Sequence, residues 1–95
     1  MTEQSGVWVF KAEKATFASG VFDRRELADA WILSNRLSGV LTWYPMNEGT
    51  YDWAVRNDRF KPKRDDQTTP EFIGRFTAAA QEHYHYERGV AGETE

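Results

Sequence analysis

Cysteine is absent from the 95 residues. That excludes a disulfide framework and any thiolate metal site, and it fits a reducing compartment, for which the cytoplasm is the expectation. Histidine is nearly absent, with two in the whole chain, His83 and His85, so a site needing three imidazoles cannot be assembled. No apolar run approaches the ~20 residues that span a bilayer. The opening MTEQSG lacks a basic segment followed by an apolar one, so no secretory signal is visible and no membrane partner is expected. Also missing are the nucleophile-elbow motif, a phosphate-binding glycine loop and a dinucleotide fingerprint. Ser19, Ser34 and Ser38 have no base set beside them by spacing, no pair of carboxylates is singled out, and no cofactor is implied.

Positive charge is also short. The net charge is -3, and the one basic concentration, residues 56–64, holds Arg56, Arg59, Lys61, Lys63 and Arg64 diluted by Asp58 and followed by Asp65 and Asp66. Nonspecific nucleic-acid affinity rests on cations that neutralise phosphates, so nucleic acid is a disfavoured partner.

Aromatics are abundant: six phenylalanines, four tryptophans and four tyrosines. They supply large buried area to a single small domain, with some left over for a binding surface. Residues 1–6 read as a disordered lead, 7–89 as one α+β domain and 90–95 as a flexible acidic tail.

The centre of the chain is FASGVFDRRELADAWILSNRLSGVLTWY, residues 17–44. Val7 to Phe10 is a short run of strand formers, and Phe17 to Phe22 alternates as its antiparallel partner across the polar KAEKAT. Asp23 followed by Glu26 matches a capping box, and Leu27, Ala30, Trp31 and Ser34 share a stripe that should face a sheet. Gly39 is the expected helix stop. Val40 to Tyr44 is a third strand bounded by Pro45, which cannot donate to a ladder.

Beyond MNEGT, Tyr51 to Asn57 is a short helix capped by Thr50, with Tyr51, Ala54 and Val55 on one face. Residues 58–68 form an exposed loop. Thr69-Pro70-Glu71 is a strong helix start, and Phe72, Ile73 and Phe76 give that helix an apolar face extending towards Gln81. From Glu82 the period changes to two, so EHYHYE is a last strand. The expected order is β-β-α-β-α-α-β, an antiparallel or mixed sheet packed against helices.

The segments VWVF, FASGVF, AWI, LSGVLTWYP, YDWA and PEFIGRFTAAAQEHYHYE resemble a family of small uncharacterised bacterial proteins, a domain of unknown function. The resemblance covers residues 7–89, implies a compact bacterial domain and carries over no catalytic residue. Trp43 stands where the family pattern has an acidic side chain, so no carboxylate site transfers to that position.

Three constellations carry chemistry. Trp43, Tyr44, Tyr51, Trp53 and Phe60 cluster in sequence beside the basic segment, and the leading expectation is a non-enzymatic module that binds another protein through them, of inhibitor or immunity type. On a strand, His83, His85 and Glu87 project to one face while Glu82, Tyr84 and Tyr86 take the other. Two imidazoles and a carboxylate suit a divalent metal, and a metal-dependent enzyme is the alternative. The bland explanation is that the tyrosines are core and the histidines solvated. A lesser alternative is stacking of single-stranded nucleic acid on the aromatics of residues 51–64.

Overall fold

Trp8, Phe10 and Ala12 alternate with Val7, Val9 and Lys11 along β1 (Gly6–Ala12), and this two-residue period sets the whole architecture. The computed structural model describes residues 5–92. In it β1 pairs on one side with β2 (Gly20–Phe22) and on the other with β3 (Gly39–Pro45), where Trp8 lies opposite Trp43 and Phe10 opposite Leu41. β4 (His83–Glu87) adds to β3, and β5 (Val90–Ala91) closes the edge. The sheet is antiparallel throughout, in the order β2-β1-β3-β4-β5.

One helix, α1 (Arg25–Asn35), covers one face of this sheet. Ala28 and Ile32 are fully buried against Phe10, Leu41 and Tyr86, with Trp8, Phe22, Trp31 and Tyr84 packed around them. Burying a side chain such as Ile32 is worth about 1.5 to 3 kcal/mol. Trp31 sits at the rim, edge-on to Phe10 with ring centroids 5.7 Å apart and tilted on Phe22 at 5.4 Å.

This face of α1 corrects the expected stripe. Leu27, Ala30 and Ser34 are exposed, and the buried pair lies one position further along. Asp23 does not cap the helix either: the N-cap is Arg24, without a side-chain cap bond. The stop is Arg36 rather than Gly39. Arg36 takes the left-handed conformation (φ 54), and the Leu37 amide donates back to the Ile32 carbonyl at 3.0 Å. Gly39 serves the sheet instead, because a Cβ there would overlap the Lys11 carbonyl oxygen of the neighbouring strand.

The ends of the chain also differ from expectation. β1 begins at Gly6, inside the expected disordered lead; residues 1–4 lie outside those described. β5 falls inside the expected tail, because Arg88 and Gly89 both take positive φ, the conformation that closes a two-residue hairpin. Residues 93–95 lie outside those described. β2 is shorter than expected. Its ladder with β1 ends where the Ser19 amide donates to the Phe10 carbonyl at 2.9 Å, and Phe17 beyond it is 80% exposed.

Between β3 and β4 the chain builds a separate lobe from α2 (Thr50–Arg56), a 3₁₀ turn at Asp65–Thr68 and α3 (Pro70–Gly74). Thr69 caps α3 as expected, its hydroxyl accepting from the Phe72 amide at 3.2 Å. The helix is much shorter than expected and packs on the lobe, not on the sheet. What ends it is a tertiary contact: Gln81, 3% exposed, accepts from the Ala78 amide through its side chain and donates to the Trp43 carbonyl, each at 3.0 Å. Those bonds hold residues 78–81 in a turn against β3. No helix among the described residues is long and apolar enough to cross a membrane.

Candidate interaction surface

Tyr51 is the centre of the lobe. Placed on the first turn of α2, it is 9% exposed, contacts the rings of Phe60, Phe72 and Phe76, and donates its hydroxyl to the Gln67 carbonyl at 2.8 Å. Phe60 and Phe72 stack with centroids 5.8 Å apart, and Phe76 lies 4.9 Å from Phe60. Such ring pairs add about 0.5 to 1.5 kcal/mol each beyond the area they bury. This is a second small core, independent of the one under α1.

The segment leaving α2 is held firmly. Asn57 donates through its side chain to the Trp53 carbonyl at 2.8 Å, Asp58 takes positive φ, and the amides of Arg59 and Phe60 both donate to the Ala54 carbonyl, at 2.7 and 3.2 Å. Further on, the Gln67 side chain accepts from the Lys63 and Arg64 amides. Residues 58–68, expected as an exposed loop, are thus tied to α2 and to Tyr51 through local hydrogen bonds.

Two open hollows flank this segment and share Arg59 and Phe60 as their common wall. One, of about 710 Å³, is bounded by Asp58, Lys61, Pro62 and Lys63. The other, of about 530 Å³, is floored by Phe72 and Phe76 and walled by Arg75 and residues 77–80.

Of the lobe's cations, Arg56 is engaged by Glu48 in a two-pronged contact at 2.7 and 2.9 Å, and Arg64 by Asp66 at 3.0 Å. These hydrogen bonds raise both guanidinium pKa values, and the Arg64 contact holds the Asp66 carboxyl below its usual range. No such pair engages Arg59, Lys61, Lys63 or Arg75 among the described residues.

The five aromatics expected to form one binding cluster are divided. Trp43 and Trp53 meet with centroids 5.6 Å apart at the junction of β3 and α2. Tyr51 is buried in the lobe, and Phe60 is half-buried between the hollows. Tyr44 follows Trp43 on a strand and so points to the opposite face of the sheet, opposite Val7. Arg75, Phe72, Phe76 and residues 77–80 were outside the expected set. Their signal was the apolar face of α3, which sequence periodicity assigned to the sheet.

His83, His85 and Glu87 project from β4 onto the sheet face opposite α1, as strand alternation requires, and all three are exposed. The two imidazoles are 5.5 Å apart, ring to ring, and His83 Nδ1 lies 2.8 Å from the Gln81 carbonyl oxygen. Among the described residues no group of three or more His, Cys, Asp or Glu is arranged to hold a metal ion. Val7, Val9, Val40, Thr42 and Tyr44 share this face by register.

A polar cluster joins α1 to β4 on the covered side. The Arg25 guanidinium lies 3.6 Å over the Tyr84 ring and 3.3 Å from Asp29, while the Tyr86 hydroxyl donates to Asp29 and the Tyr84 hydroxyl to Glu82. Burial, then the Asp29 hydrogen bond, pushes the Tyr86 phenol up to about 12. It stays protonated through the neutral range and acts as a clamp between helix and strand.

Residues 7–92 match the family described as Domain of unknown function (DUF7710), and the chain belongs to it. No curated protein and no solved structure matches the chain.

Proposed function

We propose that this protein is a bacterial, cytoplasmic, non-enzymatic interaction module of inhibitor or immunity type, and that it binds a protein partner over the Arg59–Phe60 segment. The observation that supports it is the pair of hollows sharing that wall, the smaller with an aromatic floor, and lined by cations that no carboxylate among the described residues engages. Protein interfaces favour this composition, in which aromatic and arginine side chains supply most of the affinity around a desolvated centre. Because the segment is already pinned to Ala54, little ordering entropy is lost on binding.

Lysine-directed cross-linking in lysate tests the placement. Lys61 and Lys63 line one hollow, whereas Lys11 and Lys14 lie at the end of β1 and the turn after it. Cross-links to a partner concentrated at Lys61 and Lys63 are expected. Cross-links from Lys11 and Lys14 alone would move the contact to the sheet.

A further inference from the structure

We propose that the two hollows form one composite site for an acidic segment of a partner protein, with an apolar anchor side chain seated over Phe72 and Phe76 and flanking carboxylates held by Arg59, Lys61, Lys63 and Arg75. This rests on the interaction reading above and names the partner's chemistry.

Charge complementarity carries it first. The chain is net negative at -3, yet four cations line these hollows and Asp58 is the one carboxylate among the lining residues. Elsewhere in the lobe, Arg56 and Arg64 already have carboxylates from the same chain. Among the described residues, the lobe cations without such a pair are those at the hollows. An acidic ligand is repelled by the rest of the surface and drawn to this region, which raises its encounter rate and fixes its orientation.

Polarity within the site gives the second argument. The smaller hollow, about 530 Å³, is floored by Phe60, Phe72 and Phe76 and edged by alanines at 78–80, with Arg59 and Arg75 at its sides. That volume lies in the range of sites that enclose an apolar group. The larger hollow, with Lys61 and Lys63 either side of Pro62, suits carboxylates. An apolar residue beside acidic ones satisfies both halves at once.

The rings also weigh against stacking of nucleic-acid bases. Phe60 is stacked on Phe72 and in tilted contact with Phe76 and Tyr51, so much of its ring surface is engaged within the lobe, whereas base binding needs a free face.

The test uses full-length protein and fluorescein-labelled peptides followed by anisotropy. A short peptide with one phenylalanine among glutamates is the main probe. Its controls are the same peptide with serine for phenylalanine, the same with lysines for glutamates, and oligothymidylate. Saturable binding of the main probe is expected, weakened about tenfold by serine and abolished by lysines. Raising salt from about 50 to about 200 mM should weaken it several-fold. The double variant Arg59→Glu/Arg75→Glu should lose at least about tenfold in affinity while keeping wild-type circular dichroism. If that variant does not fold, the serine and lysine peptides still decide the question. Preference for the lysine peptide, or affinity unchanged by charge reversal, overturns the acidic-partner proposal but leaves the interaction reading in place if Lys61 and Lys63 still cross-link to a partner. Tighter binding of oligothymidylate overturns it in favour of nucleic acid. No binding of any probe, together with no cross-linked partner at Lys61 or Lys63, overturns both.

Discussion

The Tyr86 hydroxyl donates to the Asp29 carboxylate, joining β4 to α1 across 57 positions of sequence. With its phenol at about 12 in the folded state and near 10 in the unfolded chain, Tyr86 holds its proton more tightly when folded. The stabilisation is therefore complete below pH 10 and is lost as pH rises from 10 towards 12. Two pH units correspond to about 2 to 3 kcal/mol. Urea titrations at pH 9 and pH 12 should show a loss of this order, and Tyr86→Phe should remove most of the difference. Tyr84, whose phenol is raised chiefly by its bond to Glu82, adds in the same direction.

The face of α1 gives a second expectation. Ile32 is fully buried, whereas Leu27 and Leu33 are 45% and 59% exposed. Ile32→Ala should cost about 2 to 5 kcal/mol in chemical denaturation, and Leu27→Ala and Leu33→Ala under about 1. Equal losses at positions 27 and 32 would mean that the helix is rotated from its placement here.

Gln81 is the buried polar side chain that ties the lobe to β3. Replacing it by alanine leaves the Trp43 carbonyl and the Ala78 amide without those partners. A loss of about 1 to 3 kcal/mol is expected, with faster amide exchange at Ala78. Unchanged exchange there would show that the turn is held by something other than the glutamine.

The sheet face opposite α1 should not bind zinc tightly, since among the described residues no third ligand joins His83 and His85. Micromolar zinc is expected to leave the melting temperature unchanged. A rise of several degrees, absent in His83→Ala/His85→Ala, would place a metal there.

Much of the sheet was legible in the sequence because alternation is a local signal. Val7 to Phe10 lies in a strand, as its run of strand formers indicates, and Tyr84 and Tyr86 fall opposite His83 and His85 on the faces that a period of two assigns them. The α1 stripe was misplaced by one position because Leu27, Ile32 and Leu33 together do not single out a 3.6-residue face; that Ile32 is buried while both leucines stay in water depends on where Phe10 and Leu41 lie. The end of α3 was illegible for a related reason. Residues 77–80 favour a helix, and what overrides them is a hydrogen bond from Gln81 to a strand 38 positions earlier. Of the proposed binding surface, Phe60 and the basic segment lie close in sequence and could be read together, whereas the hollow's other wall comes from Phe72, Phe76 and Arg75, which only the tertiary fold brings beside them.

Affinity capture with wild-type protein and with Ala79→Arg, compared by quantitative mass spectrometry, tests the interaction site most directly. Ala79 is exposed and lines the smaller hollow, so an arginine there fills the anchor position without removing a cation or a core ring. A protein recovered in near-stoichiometric amount with the wild type and depleted at least about tenfold with Ala79→Arg is the expected result. The same proteins recovered equally by both would contradict a binding site at Phe60.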